Sequence, residues 1–166
     1  PRPVPLVPAT DAPVVQMLVP GFRVDELPVV LTNLNNIEYA PDGRLFAAGY
    51  DGRFHLLRDT DRDGLEEKVD TFAPTGSDDY PIGLVVKHGM PHAVLSDEIV
   101  RFRDTDGDGI PETRESVAKG WDDPKLRADP NLMHRRVDSA LALAAGPDGS
   151  WFVTMGSANP GNGYWQ

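Results

Sequence analysis

The chain contains no cysteine in 166 residues, which removes disulfide scaffolds, thiolate zinc sites and cysteine nucleophiles together. Basic residues are scarce: 16 Lys and Arg stand against 26 Asp and Glu, a formal charge of −10. A nucleic-acid binder needs the opposite surplus to neutralise phosphates, so no nucleic-acid partner is expected. No apolar run approaches the roughly 20 residues of a membrane-crossing helix, and no basic stretch leads into an apolar signal region. Long stretches of helical periodicity are missing as well. No Gly-x-Ser-x-Gly nucleophile elbow occurs, and the Gly-rich run 156–163 lacks the Lys-Ser/Thr of a phosphate loop.

What is present is strand pattern. Residues 1–20 hold six prolines and are predicted to be an extended linker or arm. From there to residue 166, short apolar runs alternate with Gly, Asp, Asn and Pro, which predicts an all-β domain. One set of strands is expected near Asn36–Ala40, Arg44–Gly49, Phe54–Arg58 and Glu66–Phe72. A second is expected near Gly83–Lys87, His92–Ser96, Ile99–Arg103 and Thr113–Lys119. Pro41-Asp42-Gly43, Asp51-Gly52 and Asp97-Glu98 supply the connecting turns, with Gly providing positive φ.

The two sets are copies. Arg58-Asp59-Thr60-Asp61-Arg62-Asp63-Gly64 returns 45 residues later as Arg103-Asp104-Thr105-Asp106-Gly107-Asp108-Gly109. That period is one of propeller blades. A third copy begins at Ala140–Ala145, turns at Gly146-Pro147-Asp148-Gly149 and continues in Trp151–Met155, after a long polar segment from Gly120 to Asp138. The expected architecture is a β-propeller fragment of about two and a half four-stranded blades, at about 30–73, 80–120 and 138–166, behind a Pro-rich arm. Propellers close with about 4–8 blades, so the fragment reads as the N-terminal part of a longer chain. A β-sandwich of about ten strands is the alternative.

The repeated acidic segments have the ligand spacing of a twelve-residue calcium loop. Asp59, Asp61, Asp63, the Leu65 carbonyl, Glu67 and Asp70 form the first set, and Asp104, Asp106, Asp108, the Ile110 carbonyl, Glu112 and Glu115 the second. A hard cation takes several oxygens at about 2.3–2.6 Å, and Gly permits the sharp turn. Strands rather than helices flank both loops, so ions here would pin the outer hairpin of each blade. Acidic hairpin turns without metal are the competing reading.

Of the four histidines, His55 lies within a strand, and His88 and His92 straddle a turn at a spacing that could serve a metal. His134 sits in the long inter-blade segment with Asp138 nearby, a setting that could orient an imidazole as a general base.

Asn35-Asn36-Ile37-Glu38-Tyr39-Ala40-Pro41-Asp42-Gly43-Arg44-Leu45-Phe46, the Asp-Thr-Asp-x-Asp-Gly repeats and the segment Leu143–Gly156 with its Gly-Pro-Asp-Gly turn together resemble the six-bladed propellers of the glucose/sorbosone dehydrogenase type. They are most similar to the exported membrane-bound-dehydrogenase proteins of planctomycete-like bacteria. The resemblance implies a periplasmic or extracellular bacterial protein that oxidises a sugar or other alcohol with pyrroloquinoline quinone (PQQ) and Ca2+. It also implies a cytochrome module as electron acceptor and His134 as the base. Ser157 follows Gly156 where that family carries Asp. A non-catalytic propeller that holds a glycan or protein partner is the other functional expectation.

Overall fold

The computed structural model describes residues 19–72, 81–95, 98–120 and 138–157, with main chain only at 138–141 and 155–157. Among them every regular element is a strand. In chain order these are β1 Leu34–Tyr39, β2 Leu45–Gly49, β3 Phe54–Arg58, β4 Lys68–Phe72, β5 Gly83–Lys87, β6 Met90–Val94, β7 Glu98–Arg103, β8 Thr113–Lys119, β9 Asp138–Ala145 and β10 Trp151–Ser157. They form antiparallel meanders: a first sheet β1-β2-β3-β4, a second β5-β6-β7-β8, and a two-stranded sheet of β9 and β10.

The turns explain the registers. Gly43 and Gly52 take φ values of 90° and 76° where β1 meets β2 and β2 meets β3. The β5–β6 hairpin is tighter, because His88 and Gly89 both have positive φ, 53° and 75°, the signature of a two-residue type I′ turn. That hairpin extends β6 back over Pro91, two residues earlier than the sequence predicts. Lys87 and Met90 close the turn, so the next pair, Val86–Pro91, falls at a position without ladder hydrogen bonds on that side. The ladder to β7 begins only at His92, and the missing N–H of Pro91 is not called on.

The sheets stack face to face in series. Phe46, Ala48, Phe54, Leu56 and Phe72 of the first sheet share one core with Leu84, Ala93, Val100 and Phe102 of the second. The opposite face of the second sheet, through Val94 and Ile99, packs on Leu143 with Trp151 and Val153 alongside. Alternate residues of one strand thus serve two neighbours, as the period of two requires. Serial stacking of meanders is blade architecture, and a two-sheet sandwich does not describe it.

Inner strands lie side by side across the stack. Asn35 and Asn36 each donate an Nδ2–H across to the second sheet, to the carbonyls of Pro81 and Ile82, both at 2.5 Å. Gly83 is where β5 meets β9: a Cβ there would come within 2.6 Å of the Leu143 nitrogen. Only glycine permits that approach.

Candidate metal centre

Each acidic segment connects the two outer strands of its blade, β3 to β4 and β7 to β8, so both loops emerge at the same end of the stack. Their internal bonding is the same, atom for atom. Asp59 accepts from the backbone N–H groups of Arg62 at 2.5 Å and Gly64 at 2.9 Å. Asp104 accepts from Gly107 at 2.6 Å and Gly109 at 2.8 Å. Asp61 Oδ1 takes the N–H of Asp63, and Asp63 Oδ1 that of Leu65. Asp106 and Asp108 repeat this with the N–H groups of Asp108 and Ile110. Successive Asx turns therefore wrap the backbone around the carboxylates.

This wrapping gathers negative charge. Carboxylate oxygens of Asp59, Asp61 and Glu67 lie within 4.8 Å of one another, and so do those of Asp104, Asp106 and Asp108. Each oxygen that accepts one backbone hydrogen bond keeps a lone pair for a further partner. Glu67 is held by Thr60, whose N–H donates to Oε1 at 2.8 Å and whose hydroxyl donates to the same oxygen. The hydroxyl bond keeps the Glu67 carboxyl below the usual glutamate range. Its other oxygen, Oε2, is sealed from solvent and has no hydrogen-bond partner. A buried carboxylate oxygen without a partner is costly, and a cation held with Asp59 and Asp61 would offset that cost. The donor set fits a hard divalent ion.

The remaining predicted ligands stand elsewhere. Glu112 is bound by Thr105 as Glu67 is by Thr60, with the N–H at 2.7 Å. Asp70 and Glu115 lie within β4 and β8 rather than in the loops. Asp70 is paired with Arg58, and Lys68 Nζ is 3.8 Å away. Glu115 receives Arg101 and, at 3.0 Å, Arg103; the Arg101 hydrogen bond, then that of Arg103, lowers its carboxyl below the usual range. Leu65 and Ile110 enter through their N–H groups, as the last donors of each wrap.

Several partners escaped the sequence reading. Thr60 and Thr105 stand at the same place in both repeats, and that recurrence was their only signal. Glu66, buried at 5 % exposure, accepts the Tyr39 hydroxyl at 2.6 Å. That bond, with burial second, raises the tyrosine to about 12. Nothing in the local sequence pairs residues 39 and 66.

The histidines do not form a metal site among the described residues. His55, buried in β3, has Nδ1 2.9 Å from Thr71 Oγ1. His92 donates Nδ1–H to the Met90 carbonyl at 2.9 Å and lies 4.9 Å from the Trp151 ring. His88 is exposed in the β5–β6 turn. It borders a groove of about 420 Å³ between the first two sheets, together with Asp42, Arg44, Arg103 and Asp104. His134 lies outside the described residues, as do residues 1–18 of the predicted arm.

The family described as "Domain of unknown function (DUF7133)" matches residues 35–162, from the inner strand of the first sheet past β10. The chain belongs to the DUF7133 family. No curated protein matches it. Among solved structures, this DUF7133 chain is similar to a Thermus thermophilus protein named as an oxidoreductase (glucose dehydrogenase), with a TM-score of 0.53 and 22% identity. The match covers 79% of this chain and 40% of that one. The likeness shows the fold, and the DUF7133 chain spans less than half the length of the protein it resembles.

A PQQ site needs free cations for the quinone's carboxylates. Here Arg44, Arg58, Arg101, Arg103 and Arg114 are each paired with a carboxylate. Lys87 instead lies over the Trp151 ring, 4.6 Å from its centroid, and no oxidation step is assigned to the described residues.

Proposed function

We propose that this chain is the calcium-pinned portion of an exported propeller of the sugar or alcohol dehydrogenase type. In this reading Asp59, Asp61 and Glu67 hold one ion, and Asp104, Asp106 and Asp108 the other. The observation that carries it is the buried, unpartnered Oε2 of Glu67 beside two more carboxylates. Bound Ca2+ would cancel the repulsion of the clustered acids and fix the outer hairpin of each blade. In an exported protein, extracellular Ca2+ would fill such loops even at affinities of about 10⁻⁴–10⁻³ M.

Titration calorimetry of CaCl2 into chelator-treated protein, paired with its melting temperature, tests the metal. Two sites and a higher melting temperature are expected, and neither binding nor a shift would sink it. In this reading the ring as a whole oxidises a sugar or other alcohol, with PQQ and a cytochrome-type acceptor, and the likeness to a protein named as a glucose dehydrogenase supports the substrate class. Dye reduction by the natural protein, reconstituted with PQQ and Ca2+ and given sugars and simple alcohols, tests that. The pairing of Arg44, Arg58, Arg101, Arg103 and Arg114 with carboxylates favours a second reading, a non-catalytic propeller that holds a glycan or protein, and a dye assay that stays silent selects it.

A further inference from the structure

Arg44 stands outside the repeat. The residue immediately before the second strand of each sheet is Arg44 in the first, Gly89 in the second and Ser150 in the third. Ser150 bonds within its own turn, its hydroxyl donating to Asp148 at 2.6 Å, and Arg44 Nε likewise donates to Asp42 at 2.9 Å. The rest of the guanidinium leaves its sheet: Nη2 donates to the Gly89 carbonyl at 3.1 Å and Nη1 to the Gly109 carbonyl at 3.4 Å. It lies 5.3 Å from the centre of the Phe46 ring, at the rim of the core shared by the first two sheets. One planar fork thus joins three turns in two sheets, which a point-charge ammonium cannot do.

The Gly109 carbonyl belongs to the second acidic loop, and the peptide that carries it is held at both ends. Its N–H, that of Ile110, donates to Asp108 Oδ1 at 2.7 Å, while Arg44 holds the oxygen of the same plane. A peptide unit is rigid, so a hold on its oxygen sets the direction of its N–H and with it the place of the Asp108 carboxylate. Arg58, also of the first sheet, closes the other side: a Cβ on Gly109 would lie 3.9 Å from its Nη1. The first loop has no such neighbour among the described residues. A Cβ on Gly64 would meet nothing within 4 Å, and the Leu65 N–H has its bond to Asp63 without a cross-sheet hold behind it.

We infer that Arg44 is a positioning residue of the second metal loop, supplied by the neighbouring sheet, so that an ion held by Asp104, Asp106 and Asp108 fastens the first two sheets together. This rests on the calcium reading of the loops. Ion binding and the cross-sheet bond are linked reciprocally. An ion that fixes Asp108 fixes the Gly109–Ile110 peptide and so strengthens the bond from Arg44, and Arg44 in turn preorganises the loop for the ion. Charge alone predicts the opposite, because a guanidinium repels a divalent cation. The Asp42 carboxylate, 2.8 Å from Nη2, offsets that charge, and the sign of the effect on affinity separates positioning from repulsion.

Calorimetric titration of CaCl2 into chelator-treated protein, in two backgrounds, tests this. With Glu67→Gln weakening the first loop, Arg44→Ala is expected to lower the affinity of the second at least about fivefold. With Asp106→Ala weakening the second loop, the same change is expected to leave the affinity of the first as it was. Arg44→Lys keeps the charge but not the three-way fork, and is expected to lower the second loop's affinity as well. A second-loop affinity that is unchanged or raised, or an equal loss at both loops, would overturn the inference. Hydrogen exchange in chelator reads the peptide without the ion. There the Ile110 amide is expected to exchange faster in Arg44→Lys than in the unsubstituted protein, with the Leu65 amide the same in both; an unmoved Ile110 amide would also overturn it. Absence of calcium binding in the unsubstituted protein would overturn the metal reading itself, and the inference with it.

Discussion

The ring of Phe54 lies 4.5 Å from that of Phe102 at 51°, joining β3 of the first sheet to β7 of the second. Phe72 reaches both rings, at 5.9 Å and 5.7 Å, and Phe46 meets Phe72 edge-on at 6.0 Å. Four aromatic rings therefore make the joint between sheets whose ladders never connect. Blade stacking has no ladder continuity to rely on, so side-chain contacts decide its strength.

Phe102→Ala is accordingly expected to cost about 3–5 kcal/mol, because the ring is fully buried and its neighbours belong to two separate sheets that cannot collapse together into the void. Urea denaturation measures it. A loss below about 1 kcal/mol would mean that the sheets are held by the inner-strand asparagines instead.

Glu67→Gln keeps the shape and the bond from Thr60 but removes the charge at the unpartnered oxygen. In calorimetry the first loop is expected to lose affinity for Ca2+ by at least about 10–100-fold, the cost of losing even an indirect metal partner. The second loop should keep its own. Asp106→Ala is expected to do the converse, and each variant should forfeit part of the calcium-dependent rise in melting temperature. Loss of both sites in either variant would mean that the loops do not act independently.

Arg62 and Gly107 occupy the same place in the two loops with φ of 67° and 85°. A side chain in the left-handed region costs about 1–2 kcal/mol, and the exposed arginine makes no ion pair among the described residues to offset it. Arg62→Gly is expected to stabilise the protein by about 0.5–1 kcal/mol, after the greater entropy loss of glycine is subtracted. Thermal denaturation in chelator, away from any effect on metal, reads this out; a fall in stability would show that the arginine side chain contributes contacts of its own.

Much of this was legible in the sequence because blade architecture is repetitive. The 45-residue echo of the acidic segment, with Asp-Gly turns around it, located β3, β5 and β8 to the residue and the other strands within two. What escaped is what depends on contacts between repeats. Position 12 of the calcium-loop pattern assumes the chain curls back after Glu67, but the chain leaves as a strand, and Asp70 and Glu115 turn to arginines of the neighbouring strand. The Tyr39–Glu66 bond crosses a whole sheet and has no local signature.

His55 and His92 are 5 % and 4 % exposed, and burial lowers both imidazoles below their ordinary value. Around His92 the cations Arg101 and Lys87 and the neighbouring His88 push the same way, opposed by the bond to the Met90 carbonyl. Around His55, Asp51 opposes burial and Arg53 adds to it. The unfolded chain, with imidazoles near about 6.5, binds protons first as the medium is acidified. Stability is thus complete above the unfolded value and is lost as pH falls through it toward the lower folded values. In chelator the melting temperature is expected to drop between about pH 7 and pH 5, before carboxylates of ordinary pKa near about 4 begin to protonate. His55→Gln with His92→Gln should flatten that decline while lowering the plateau, since the bond to Thr71 and the contact with Trp151 are altered. An unchanged slope in the double variant would assign the acid sensitivity to other groups and leave the two buried imidazoles as packing alone.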